Sequence, residues 1–92
     1  MIMPQQIVYS AVTTGAQLVN RRGALHRVVL TAGSANASAT FYDNTSATGS
    51  PILTVAALAA TSAWPDVNGV EFFIGLYVVV SGTGAQLNLY IE

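Results

Sequence analysis

Side chains able to do chemistry are few enough here to be weighed one by one. Asp43, Asp66, Glu71 and Glu92 are the acids, His26 is the sole imidazole, and Arg21, Arg22 and Arg27 are the only cations in 92 residues. A glycosidase would need two of these carboxylates to face each other across a sugar-sized gap. Asp43 and Asp66 instead fall in turn-forming stretches, where a short carboxylate accepts bonds from its own backbone. Glu71 reads as a solvated strand residue and Glu92 as a terminus. With no cysteine and no second histidine, His26 could bind zinc only with carboxylates, and it reads as a surface or inter-subunit side chain. Neither Gly49-Ser50 nor Gly82-Thr83-Gly84 supplies the Gly-x-Ser-x-Gly elbow of a serine nucleophile. Gly82-x-Gly84 lies between strands rather than before a helix, so it is not a phosphate cradle. Asp43-Asn44-x-Ser46 offers too few oxygens for a calcium loop. The expectation is a protein that is not an enzyme, with no catalytic, metal or cofactor residues.

Recognition is the remaining use for these groups. Arg21, Arg22 and Arg27 fall within seven residues and could clasp a partner's carboxylates through bidentate pairs; the alternative is three solvated side chains balancing the four acids. Trp64, Tyr42 and Tyr77 could supply flat aromatic contact area. These six residues are the interface candidates.

Composition narrows the kind of partner. Charged residues make up 8% of the chain, against about 25% in ordinary domains, while 52% are hydrophobic, and there is no lysine. A free monomer usually relies on a well-charged surface for solubility, yet the net charge is only -1. The outside must therefore be Ser, Thr, Ala, Asn and Gln, or be covered by partners. Three arginines cannot form the basic stripe that phosphate backbones require, so no nucleic-acid partner is expected. No apolar run reaches membrane-spanning length, so no membrane partner is expected. Met1 to Gln6 carries neither the basic region nor the apolar stretch of a secretory signal, which leaves the sequons Asn36-Ala37-Ser38 and Asn44-Thr45-Ser46 without force.

The elements that must position these residues are short strands. β-branched and aromatic runs alternate with Gly, Ser, Asn and Asp clusters every eight to twelve residues, which predicts an all-β fold, a compact antiparallel β-sandwich or jelly-roll-like barrel of seven to eight strands. Ile7 to Val12 is the first strand, closed by a Thr14-Gly15 turn. Gln17 to Arg22 pairs at an edge or loops. Ala24 to Thr31 follows, with His26 and Arg27 on opposite faces unless a bulge intervenes. Then come Ser38 to Asp43, Ile52 to Ala57 and Val70 to Phe73, with Leu58 to Ala60 a loop or extended continuation. Pro65 biases Trp64 toward extended backbone, and Asn68-Gly69 signals a turn. Leu76 to Ser81 and Ala85 to Ile91, joined by Gly82-Thr83-Gly84, read as the clearest hairpin. Residues 23 to 92 form the sandwich and residues 1 to 22 an N-terminal strand or arm, in one domain overall.

Two segments carry a resemblance. Thr40-Phe41-Tyr42-Asp43-Asn44-Thr45-Ser46-Ala47-Thr48-Gly49 and, some twenty-five residues on, Gly75-Leu76-Tyr77-Val78-Val79-Val80-Ser81-Gly82-Thr83-Gly84-Ala85 resemble small virion proteins of tailed bacteriophages, of the capsid decoration or cement type. The match runs from about Gly23 to Glu92. It implies a structural protein that binds the major capsid protein shell, with a homotrimer favoured, made in the host bacterial cytoplasm and placed on the capsid surface. It implies no active site. The alternative is a receptor- or glycan-binding module of a phage tail or head fibre, in which Trp64, Tyr42 or Tyr77 provides a stacking platform.

Overall fold

Period-two alternation of apolar and polar residues gives each strand one inward face, and two such sheets can bury their apolar faces against each other. The computed structural model describes residues 5–10, 14–65, 67 and 69–91, and they form nine strands. These are β1 (Gln5–Ser10), β2 (Thr14–Val19), β3 (Gly23–Thr31), β4 (Ala37–Tyr42), β5 (Leu53–Ala57), β6 (Ser62–Ala63), β7 (Val70–Phe72), β8 (Leu76–Ser81) and β9 (Gln86–Ile91). One sheet has the order β1-β9-β3-β6, with β7 also paired to β3; the other has the order β2-β8-β4-β5. Every pairing is antiparallel. The fold is therefore an all-β sandwich, as the strand pattern predicts.

The core lies between the sheets. Leu25, Val28, Leu30, Phe72, Leu87, Leu89 and Ile91 enter it from the first sheet, and Ala39, Phe41, Val55, Leu76, Val78 and Val80 from the second. Among the described residues no polar or charged side chain is buried. Their polar and charged side chains lie outside this core, which holds the two layers together.

Two sequence expectations about connections are corrected. Leu76 to Ser81 and Ala85 to Ile91 are not a hairpin: β8 pairs with β2 and β4, whereas β9 pairs with β1 and β3. Both strands are central in their own sheets, so Gly82-Thr83-Gly84 is a corner that carries the chain across the core. The short glycine-rich link that suits a tight hairpin suits this corner equally, with Gly82 at φ 120° and Gly84 at φ 75°. Similarly, Thr14 and Gly15 do not turn; they pair with Val80 and Val79 at the start of β2. Only β4 and β5 form a hairpin between consecutive strands among the described residues.

The seven to eight strands expected from the pattern are joined by the two-residue Ser62–Ala63, a pair too short to show a period. Gln5–Ser10 and Thr14–Val19 each form a strand of this sandwich, one in each sheet. The expectations for Asp66, Asn68 and Glu92, and the ends of the proposed first strand beyond Ser10, lie outside the described residues.

Candidate functional site

The six candidate residues fall into three separate places. Arg21 and Arg22 sit at the turn between β2 and β3, both exposed, with Arg21 Nη1 donating to the Arg22 carbonyl at 2.8 Å. The Arg22 guanidinium lies 4.9 Å from the centroid of the Phe73 ring, within cation–π range. Arg27, in β3, is five residues beyond Arg22, up to about 16 Å at about 3.3 Å per residue, so the three arginines are spread along the chain instead of forming one cluster.

Tyr42 and Tyr77 are direct cross-strand partners on β4 and β8. They lie on the outer face of the four-stranded sheet, because Phe41, Leu76 and Val78 beside them point inward. That face continues through Thr40 opposite Val79, Ser38 opposite Ser81, Gly15 opposite Val79, Gln17 opposite Tyr77, and Thr54 and Ala56 on β5. The Ser38 and Ser81 hydroxyls bond each other at 2.8 Å. No residue in this group carries a charge. The result is a uniform surface of hydroxyls, small residues and two stacked-register tyrosines.

Trp64 and Arg27 meet on the opposite side of the molecule. The register of β3 against β9 shifts between Leu25 and Arg27, so His26 is a bulge residue. That extra residue explains why His26 and Arg27 are both exposed instead of pointing to opposite faces. β7 pairs with Gly23, Ala24 and Leu25, and β6 pairs with Leu30 and Thr31, on the edge of β3 away from β9. Between them, residues 26–29 have no strand beside them on that edge among the described residues. Beside this notch is a cleft of about 630 Å³ lined by His26, Arg27, Val29, Trp64, Pro65 and Val67. Trp64 is 69% exposed. Arg27 stands 6.0 Å from the Tyr90 ring centroid, at the limit of cation–π range.

Two of the acids, Asp43 and Glu71, lie among the described residues. Glu71 is exposed on β7, opposite Ala24. The Asp43 carboxylate accepts hydrogen bonds from the amides of Phe73 at 2.9 Å, Ile74 at 2.8 Å and Gly75 at 3.4 Å. Its expected role as an acceptor for its own turn is thus replaced by a bond to a loop thirty residues away; Asn44 takes over the turn, accepting from the Thr45 amide and donating to Thr48 Oγ1. Burial raises the Asp43 pKa, but the Ile74, Phe73 and Gly75 amides together more than offset this, and the net effect is a pKa below the usual aspartate value. Among the described residues no group of three or more His, Cys, Asp or Glu could hold a metal ion. None of their helices is long and apolar enough to cross a membrane.

No family model and no curated protein matches the chain. Among solved structures, it is similar to a chain of Bacillus endospore appendages, described as forming a novel family of disulfide-linked pili. The two share 16% identity and superpose with a TM-score of 0.57 over 97% of this chain and 80% of the other. At that identity the likeness concerns the fold. One difference in composition is plain, since these 92 residues contain no cysteine.

Sequence reasoning missed the loop held by Asp43. Phe73 and Ile74 are 56% and 55% exposed, and they project from backbone that the carboxylate fixes. The strand expected over Val70 to Phe73 ends one residue earlier, at Phe72, and no local signal reveals that Phe73 and Ile74 belong to a loop held from β4. The cleft was missed for a similar reason: it depends on β6 and β7 sharing one edge of β3.

Proposed function

We propose that this domain is a structural subunit that works by packing against copies of itself and a larger protein shell, not by catalysis. The observation that carries this is the uncharged outer face of the four-stranded sheet. Interfaces are depleted in acids and lysine at their centres and enriched in tyrosine, and this face has both properties. Among the described residues its two edges, β2 and β5, have no strand partner on their outer sides, so assembly can also proceed by edge pairing. In a chain with 8% charged residues, coverage by copies supplies burial that a small core lacks.

The specific form of this reading is a tailed-phage capsid decoration protein that trimerises where major capsid protein subunits meet. The Thr40–Gly49 and Gly75–Ala85 segments support it, together with the absence of a basic stripe. Many weakly bound copies would stabilise the shell through avidity. The purified protein should be multimeric by light scattering and should sediment with mature phage heads but not with free DNA. A stable monomer indifferent to heads defeats the reading.

A filament subunit is the second reading, favoured by the fold likeness to a chain of pilus-forming appendages. With no cysteine here, such a filament would have to be held without disulfides from this chain. Negative-stain microscopy separates the two, since a decoration protein gives closed oligomers and a filament subunit gives open-ended fibres.

A further inference from the structure

We propose that the cleft beside the β3 bulge binds a carboxylate-bearing saccharide. The chain has one tryptophan, one histidine and three arginines, and this cleft gathers the tryptophan, the histidine and one arginine. Trp64 is 69% exposed, so it contributes little to the core, and Arg27 is exposed on a strand whose neighbours Val28 and Leu30 already anchor the sheet.

Geometry favours a compact ligand. The cleft's 630 Å³ falls within the usual range of small-molecule sites, about 300–1,000 Å³. An extended peptide would need a free strand edge, but among the described residues only 26–29 of β3 lack a paired strand on this edge, and β7 and β6 close both ends of that notch. Four residues is shorter than the usual strand of about 5–6.

Chemistry then selects the class. A pyranose presents C–H groups on one face, and these carry slight positive charge that matches the electron-rich face of an indole. Trp64, with Pro65 and Val29 beside it, provides that apolar floor. Arg27 provides a planar fork of donors suited to a carboxylate, and the Tyr90 ring at 6.0 Å orients the guanidinium without claiming that fork. The bulge at His26 is what turns Arg27 into the cleft. This site lies on the five-stranded sheet, away from the uncharged face assigned to assembly, so the two roles can coexist and fail independently.

Trp64 is the only tryptophan, so its fluorescence reports on this cleft alone. The test is a titration of the full chain with trigalacturonate and with its fully methyl-esterified form, in low salt. The expected result is a saturable change in emission with trigalacturonate, weaker by about tenfold or more for the neutral ester and for Arg27→Gln, as loss of a charge-assisted bond predicts. Trp64→Ala should abolish the heat of binding in calorimetry while leaving the circular dichroism spectrum and light-scattering mass unchanged. The proposal is overturned by no saturable change with either sugar, by equal binding of acid and ester, or by undiminished binding to Arg27→Gln.

Discussion

Asp43 and Ile74, thirty-one residues apart in sequence, are joined by a 2.8 Å hydrogen bond from the Ile74 amide to the Asp43 carboxylate. With the Phe73 and Gly75 amides on the same group, this ties the end of β4 to the link between β7 and β8, and so ties one sheet to the other at that end of the sandwich. Asp43→Asn keeps the size and removes the charge. Charge-assisted bonds contribute about 1.5–3 kcal/mol when desolvated, and partial exposure lowers this, so a loss of about 1 kcal/mol is expected. Urea unfolding should show a lower midpoint with an unchanged slope.

The same carboxylate makes stability depend on pH. Its pKa is lowered in the folded state, so the unfolded chain binds its proton more readily as the solution is acidified. The stabilisation is therefore fully present above the ordinary aspartate value of about 4 and is lost as pH falls through the lower folded value. The stability gap between the natural chain and Asp43→Asn should be constant from about pH 7 to pH 5 and shrink below about pH 4. A gap that stayed flat into that acid range, in parallel denaturant titrations, would contradict the assignment.

How much of this the sequence carried depends on whether the signal is local. Leu87, Leu89 and Ile91 alternate with Gln86, Asn88 and Tyr90 in sequence and do face inward, because side-chain direction in a strand is set residue by residue, whereas the continuous apolar run from Leu76 to Val80 leaves its inward face unmarked. Which strand each one pairs with is a non-local question. Gly82-Thr83-Gly84 looks the same as a hairpin link or as a corner between sheets, and only the edges available on β8 and β9 decide between them. The candidate residues were named by type, and the structure sorts them by place: Tyr42 and Tyr77 on one sheet, Trp64 and Arg27 by the other, Arg21 and Arg22 at a turn. The bulge at His26 and the reach of Asp43 depend on contacts that no window of sequence contains.

The corner between β8 and β9 should be sensitive to single methyl groups. A Cβ on Gly82 would lie 2.7 Å from the Asn36 carbonyl oxygen and 2.9 Å from the Ala37 Cα, and the residue is at φ 120°. A Cβ on Gly33 would lie 2.4 Å from the Thr83 carbonyl oxygen. Both obstacles are backbone, which cannot rotate away. Gly49 has φ 83° but nothing within 4 Å, so its replacement meets strain alone. Gly82→Ala and Gly33→Ala should each destabilise by about 2–4 kcal/mol, and Gly49→Ala by about 1 kcal/mol. Thermal melts of the three variants should rank them in that way.

Direction along β8 separates the surface that folds the domain from the surface that assembles it. Val78 and Val79 are adjacent and of equal size, but Val78 is fully buried and Val79 lies on the uncharged outer face opposite Thr40 and Gly15. A lysine at the inner position would bury an unpaired charge, so Val78→Lys should not fold. At position 79 the lysine stem can lie along its neighbours with its ammonium in water, so Val79→Lys should keep the circular dichroism spectrum and lose less than about 1 kcal/mol. If copies meet through this face, each contact would then have to desolvate a charge, and self-association should weaken by at least about tenfold. Sedimentation velocity across a concentration series reads this directly. Retention of natural self-association by a well-folded Val79→Lys would place the assembly contact elsewhere, with the unpaired edges of β2 and β5 next to be altered.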